Sequence, residues 1–349
     1  MSKKMLFITS ENLSNKTASV IRLNSIKDGF KKNGYRVECK SYFSNNKLMS
    51  IGSYLMTLIL LLHCKSDIFI YGPTCIPNFF QKIVKKNGGK IYAERTEFPF
   101  HLISNNLSPI KIFFSRLYLR KIQEVDQFFT CSHVLLKFYS KYAQSSKFSI
   151  IPLFISKDIV ERDVIFKRSF EITYCGYMGN NKDGVDSLID AFSLYIKSNN
   201  DYRYKLQLIG SAESEEMSRL QDKVLKKNLK DNVIFLGRLP HQEVISRLFL
   251  SDALILARPS NKQAQGGFPS KLGEYISTGK PVICTDVGEI REVFGDELVK
   301  YCNSDNIIDI STAIKDVFDD YELHMSVYNE RKLSAYKYTP ENLIRYHIR

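Results

Sequence analysis

Residues Ala257 to Arg291 read ARPSNKQAQGGFPSKLGEYISTGKPVICTDVGEIR, and their order of loop, helix, strand and helix decides the fold class. An apolar run, Ala253 to Ala257, feeds a polar loop that the pair Gly266-Gly267 breaks. Phe268-Pro269-Ser270 predicts the start of a helix, because a proline in the first turn gives up only an N–H that has no intrahelical partner. The helix is expected to end near Ser277, before Thr278-Gly279. Lys280-Pro281 then leads into Val282-Ile283-Cys284-Thr285, a short buried-strand pattern, and Asp286-Val287-Gly288 opens a further helix. Alternation of this kind is that of an α/β protein with a parallel sheet.

A glycine pair ahead of a helix lets backbone N–H groups approach an anion, and the helix dipole favours negative charge there. Lys271 adds a cation, and Glu274, on the same side of the helix as Ser270 and Lys271, can accept hydrogen bonds from a ribose diol. Amides, cation and acid together describe a site for a nucleotide diphosphate. Gly266, Gly267, Phe268, Lys271 and Glu274 are its candidate residues.

The stretch resembles the donor-site signature of the retaining glycosyltransferases of family 4. That signature has a Glu, seven residues and a second Glu, followed by a helix end and a Gly-Lys-Pro-Val strand. Glu274 matches the second acid, Gly279-Lys280-Pro281-Val282 the strand, and Gly267-Phe268 the Gly-Phe after the first acid. Gly266 stands in the register of the first acid itself, with Gln265 beside it. The likeness is strong over 170–300 and weak over the first half. It implies two Rossmann-like domains facing across a cleft, the GT-B fold. Residues 1–155 would bind the acceptor, 156–335 the nucleotide sugar, and 336–349 would return toward the first domain.

Composition sets the outer bounds. The 349 residues are ample for two cores, and 44% apolar content is that of a globular protein. The seven cysteines form no C-x-x-C pair and sit mostly in apolar runs, which predicts free thiols in a reducing compartment. Met5 to Thr9 reads as a strand rather than a signal sequence. The longest apolar run, Tyr54 to Leu62, is shorter than the about 20 residues a bilayer span needs. A cytoplasmic protein, peripheral at the inner face of the membrane, is the expectation. The net charge of +13 favours an anionic partner, and no RNA-recognition or zinc-finger pattern accompanies it.

Strands in the first half are predicted at Met5–Thr9, Tyr35–Tyr42, Asp67–Tyr71, Lys90–Ala93, Gln127–Cys131 and Phe148–Leu153. Ligands on such sheets bind beyond the strand C-termini. The loop Ser10–Lys16 has no glycine where relatives in the resembled family have a Gly-rich one, but it offers donors such as Asn15. Ala93 to Leu102 packs Glu94, Arg95, Glu97 and His101 after a strand. One reading is a local Arg–Glu salt-bridge network. The other follows from the resemblance, which makes this loop and Asn15 an acceptor rim, with His101 touching a hydroxyl. Two helices, Ile51 to His63 and Ser108 to Ile122, carry apolar mass, and the second interleaves it with Lys111, Arg116, Arg120 and Lys121. They suit packing on the sheet on one face and an anionic bilayer on the other.

A polar stretch, Phe154 to Phe170, marks the linker. The second half has strands at Glu171–Cys175, Lys205–Ile209, Asn232–Leu236, Ala253–Ala257, Pro281–Thr285 and Leu298–Tyr301. Its first loop, with Gly176, Gly179 and Lys182, resembles the family's Gly-Arg-Leu…Lys-Gly loop, which contacts the donor diphosphate. Tyr177 replaces the arginine, and Lys182 lies within one residue of the lysine's register. Gly210 and the pair Gly237-Arg238 end further strands facing the same crevice, and Arg258 supplies another cation.

The resemblance thus implies transfer from a UDP- or GDP-linked sugar to a saccharide hydroxyl with retention and without a metal or other cofactor. Lys182, Arg258 and His101 would be the catalytic groups. The acceptor would be lipid-linked, in surface-polysaccharide assembly (capsule, O-antigen or exopolysaccharide), with an anionic membrane surface as a candidate partner and no nucleic-acid partner expected. The alternatives are a nucleotide-sugar epimerase of the same architecture, a non-catalytic nucleotide-sugar scaffold, and a basic nucleic-acid binder, against which the lack of a base-stacking motif counts.

Overall fold

The computed structural model describes the chain except residues 1–2, 15–16, 73, 100–101, 103–108, 110–111, 114–115, 117–118, 120–121, 123–124, 144–145, 167, 180–181 and 349. It divides into two compact units. The first comprises Met1–Phe154, Gly266–Phe268 and Tyr338–Arg349, and the second Ile155–Gln265 and Pro269–Lys337.

In the first unit, strands β1 (Lys4–Thr9), β2 (Arg36–Ser41), β3 (Asp67–Tyr71), β4 (Ile91–Arg95), β5 (Gln127–Thr130) and β6 (Lys147–Ile150) form a parallel sheet in the order β2-β1-β3-β4-β5-β6. Helices α1 (Ala18–Lys32), α2 (Lys47–Leu62), α3 (Asn78–Lys86) and α4 (His133–Tyr139) connect them. Successive strand side chains point to opposite faces, and the sequence uses this to sort residue types. Leu6, Ile8, Ile68, Ile70, Ile91 and Ala93 build a mostly aliphatic core on one face. Met5, Phe7, Phe69, Tyr71, Tyr92 and Phe129 build an aromatic one on the other. Phe7 stacks on Phe69 at 4.7 Å and Phe69 on Phe129 at 5.8 Å between centroids.

In the second unit, β7 (Glu171–Tyr177), β8 (Lys205–Ser211), β9 (Val233–Gly237), β10 (Ala253–Leu256), β11 (Val282–Thr285) and β12 (Lys300–Cys302) form a second parallel sheet, ordered β12-β11-β10-β7-β8-β9. The helices in chain order are α5 (Lys157–Val160), α6 (Val185–Asn199), α7 (Ser214–Lys226), α8 (His241–Leu250), α9 (Lys262–Gly266), α10 (Ser270–Ser277), α11 (Ile290–Leu298), α12 (Ile307–Asp319), α13 (Tyr321–Ser326) and α14 (Tyr328–Tyr336). All four residues of β10 and of β11 are buried, as strands covered on both faces must be.

The last helix, α15 (Pro340–His347), belongs to the first unit and crosses α1. Gly29 makes the close crossing possible: a β-carbon there would stand 2.5 Å from Ile344 Cγ1 and 2.6 Å from the Pro340 carbonyl oxygen. Asn33 donates to the carbonyls of both Gly29 (2.8 Å) and Glu341 (3.1 Å), and Leu343 and Ile344 enter the aromatic core. The predicted helix Ser108 to Ile122 falls largely outside the described residues. All seven cysteines are free thiols.

Candidate active site

The order of the second sheet reverses between β7 and β10, and an open parallel sheet presents a crevice beyond its strand ends at such a switch point. The connection from β7 to α6 is held tightly over the end of β10. Gly184 has φ +68°, and a β-carbon on it would lie 1.8 Å from the Ala257 carbonyl oxygen, so only glycine fits. β7 and β8 also close up at their ends: Gly210 has φ +137°, and its β-carbon would meet the Gly176 carbonyl at 1.8 Å.

Asp183, beside Gly184 and 3% exposed, gathers the charged groups of this crevice. Its Oδ2 accepts from Lys271 Nζ at 2.5 Å and from the Tyr174 hydroxyl at 2.9 Å. Its Oδ1 lies 3.9 Å from Arg258 Nε. Lys271 Nζ also donates to Tyr174 Oη at 3.3 Å and stands 4.8 Å from the centre of that ring. Gly176 leaves the room, since a β-carbon there would lie 1.9 Å from Nζ. Burial alone would push the Asp183 carboxyl up. Lys271, Arg258 and the Tyr174 hydroxyl outweigh it and hold the group below the ordinary aspartate value. Asp183 is therefore an anion, and with Lys271 and Arg258 it leaves one positive charge over.

Arg258 is 6% exposed, yet its Nε and Nη1 reach no hydrogen-bond partner among the described residues. Leaving such donors buried and unspent costs about 1–3 kcal/mol each. Such donors call for an acceptor, supplied by water or by a ligand.

The helix that bears Lys271 is fixed from three sides. The Cys175 N–H donates to Tyr275 Oη at 2.8 Å, which ties α10 to β7 one turn beyond Lys271. Arg331, buried, donates to the Gly279 carbonyl at 3.2 Å and to Leu298 at 2.9 Å. Lys280, also buried, donates to the Ile165 carbonyl, and burial pushes its ammonium down to about 8. Glu274 projects from the same helix, half-buried, 4.0 Å from His241 Nε2. Burial raises its carboxyl above the usual glutamate value, and His241 and Lys271 pull it only part of the way back. One end of the second sheet thus offers two cations, unspent guanidinium donors and a poised carboxylate, the needs of a diphosphate and a diol.

The sequence model of the glycosyl transferases group 1 matches residues 157–333, half of the chain and almost all of the second unit. The chain belongs to this family. A search of curated protein sequences returns no match. Among solved structures, this group 1 glycosyltransferase is similar to a glycosyltransferase from Rickettsia africae, at 13% identity and TM-score 0.73, over 99% of this chain and 97% of that one. It is also similar to Anabaena HepE in complex with UDP-glucose, at 12% identity and TM-score 0.69, over 99% of both chains. Sucrose-phosphate synthase from Thermosynechococcus elongatus matches at 11% identity and TM-score 0.69, over 99% and 97%. These likenesses are of fold: two Rossmann-like domains, the GT-B type.

Of the predicted donor and catalytic residues, Lys271 and Arg258 meet at Asp183 in the second unit, and Glu274 projects from the helix that bears Lys271, beside His241. Lys182 is exposed on the loop beside Asp183. Arg238 is exposed after β9, and Gly237, with φ +67°, turns the chain there. Gly210 has the packing task already described. Gly266, Gly267 and Phe268 group with the first unit. There the Gly266 carbonyl accepts from Ser132 Oγ at 2.7 Å, and Phe268 packs on the aliphatic core. A β-carbon at Gly266 would stand 2.4 Å from Phe98 Cε2, so the aromatic ring fills the space an acid in this register would need.

In the charged segment at the end of β4, Glu94 and Arg95 are buried rather than presented to an acceptor. Glu94, 2% exposed, receives Arg22 Nη2 at 2.9 Å and Nε at 3.1 Å in a bidentate pair, and Arg22 also donates to the Ile151 carbonyl. Arg95 is buried too and donates to the carbonyls of Ile70 and Thr74 at 3.4 and 3.3 Å. Both side chains are turned into the first unit and form no solvent-facing rim. Within the local network expected for this loop, the partner of Glu94 is Arg22 of α1, not Arg95. Of the acceptor candidates, Glu97 is exposed, while Asn15 and the catalytic candidate His101 lie outside the described residues. Sequence reading missed Asp183, Tyr174, Tyr275 and His241. The available signal was Asp183-Gly184 in the place of the family's Lys-Gly, which calls for a cation from elsewhere in the chain.

Proposed function

We propose that this glycosyltransferase binds a UDP- or GDP-linked sugar in the second unit and transfers the sugar, with retention and without a metal, to a hydroxyl of a lipid-linked saccharide in cell-surface polysaccharide assembly. One observation carries the donor assignment: the buried Arg258 with unspent donors, set beside Lys271 around a single carboxylate. Lys271 and Arg258 meet the diphosphate, whose charge grows as the sugar bond breaks, and Asp183 with Tyr174 holds the lysine in position. In this reading the two cations neutralise the leaving group in place of a metal. Glu274 accepts from the ribose diol. Lys182, on its exposed loop, reaches the diphosphate from the far side, and the departing phosphate oxygen takes the proton of the acceptor hydroxyl.

The test is thermal stabilisation by UDP, GDP, ADP and CMP, because a ligand that binds only the folded protein raises the melting temperature by mass action. UDP or GDP is expected to act, and Glu274→Ala to abolish the shift. Isomerisation of the bound sugar nucleotide without any acceptor would replace the transferase reading by an epimerase. Absence of a shift with every nucleotide would end the donor assignment.

A further inference from the structure

Helix α2 carries a wide apolar face that is exposed among the described residues. Leu58, Leu61 and Thr57 are buried, and Tyr54 packs on the aliphatic core. Leu48, Met49, Ile51, Leu55, Met56, Ile59 and Leu60 are all exposed, Leu48 by 78% and Met56 by 66%. With Gly52 they form a continuous band at helical spacing. Lys47 is the one charged residue in the helix, at its first position. The packed neighbour α3 adds exposed Phe79 with Lys82 and Lys86, and Lys65 follows the end of α2. A contiguous exposed band of this kind marks an interaction surface rather than chance exposure.

The charge distribution says what covers it. The first unit holds 25 Lys and Arg against 9 Asp and Glu, a net of +16, and the second holds 25 against 28, a net of −3. All of the excess positive charge therefore lies in the unit that bears α2. Between Glu38 and Glu94 the chain has a single acid, Asp67, whose Oδ1 accepts from the backbone N–H of Lys90. An apolar band without acids, edged by lysines, fits acyl chains beneath an anionic headgroup layer. A second copy of the chain fits badly, because two such units would oppose like charges across the contact.

We infer that α2 docks the first unit on an anionic bilayer, with Leu48, Met49, Leu55, Met56, Ile59 and Leu60 in the acyl boundary and the flanking lysines on the headgroups. The helix lies in the interface; no described helix is long and apolar enough to cross a membrane. Docking requires no nucleotide and no transferase activity, so it stands or falls apart from the proposed reaction.

Flotation of the full chain with vesicles tests this. Vesicles of phosphatidylcholine with phosphatidylglycerol are expected to carry the protein up, and phosphatidylcholine alone to carry much less. Raised salt should weaken binding without abolishing it, since screening touches the lysines and not the apolar band. The double variant Leu55→Glu, Ile59→Glu should lose at least about tenfold in partition while keeping the melting temperature and the UDP-induced shift of the wild type. Leu225→Glu, at an exposed apolar site of the second unit, should leave partition unchanged. Failure to float with anionic vesicles, or undiminished flotation of the double variant, would overturn the inference. So would a wild-type dimer, measured by light scattering, that the double variant dissolves, because a second copy would then cover the face.

Discussion

Arg258 and Glu274 show how a single residue can be costly in the free protein and useful in the complex. Arg258 keeps two buried donors unspent and lies at 3.9 Å from its nearest carboxylate oxygen. Replacing it by an apolar side chain of similar length removes that cost, and Lys271 remains on Asp183 Oδ2 to hold its charge. Arg258→Met is therefore expected to melt at or slightly above the wild-type temperature and to bind UDP about 10–100-fold more weakly, as loss of a charge-assisted contact would have it. Calorimetry of both properties on one preparation checks the trade. Glu274 makes a pH prediction. Its carboxyl is raised by burial, so it takes up a proton at higher pH than an ordinary glutamate does. A protonated carboxyl accepts the ribose diol less well. UDP affinity should then decline on acidification at higher pH than an ordinary glutamate would give, and Glu274→Gln should bind more weakly but with a flatter profile. Titrations across the acid range distinguish a sloping wild type from a flat variant; parallel profiles would remove Glu274 from the site.

At the scale of elements, the helix after the glycine pair and the strand after Gly-Lys-Pro form where local sequence places them: α10 spans Ser270–Ser277 and β11 Val282–Thr285. Proline at the helix start and glycine at its end act within a few residues, so their effect can be read without the fold. The partners of those elements cannot. Gly266 looks like a phosphate-loop glycine in sequence, whereas in the structure Phe98 approaches it. Gly266→Glu, which restores the missing acid, should destabilise the protein by about 1–3 kcal/mol through overpacking. Phe98→Ala combined with it should recover part of that loss. Denaturant midpoints of the two single variants and the double variant give the coupling directly, and simple additivity would show that the ring is not what excludes the acid.

At the scale of the molecule, the C-terminal twelve residues belong to the core of the unit that begins the chain. Leu343 and Ile344 are buried there, and Gln127 Nε2 donates to the His347 carbonyl at 2.6 Å. Burial of two such side chains is worth roughly 3–6 kcal/mol, a large part of the stability of an ordinary domain. A chain ending at Lys337 should therefore lose the native signal of the first unit at a lower temperature, while the second unit keeps its own transition. Hydrogen exchange read separately over 1–154 and 155–337 tests the split. The uneven charge of the two units, +16 and −3, is likewise a property of the whole chain that local windows hide.

The sequence by itself determined the alternation of strands and helices, the parallel sheets and the broad group 1 glycosyltransferase family, because apolar periodicity, turn glycines and the Glu274 to Val282 signature act over short distances. Only the tertiary structure decided which charges meet. Asp183 and Lys271 are 88 residues apart, and Arg22 and Glu94 are 72 apart. Whether a carboxylate faces a ligand cation or a structural one depends on where two strands end beside each other. A one-dimensional pattern carries no record of that. The same limit holds for α2, whose apolar residues read alike along the chain and divide into a packed and a bare face only once the sheet beneath them is in place.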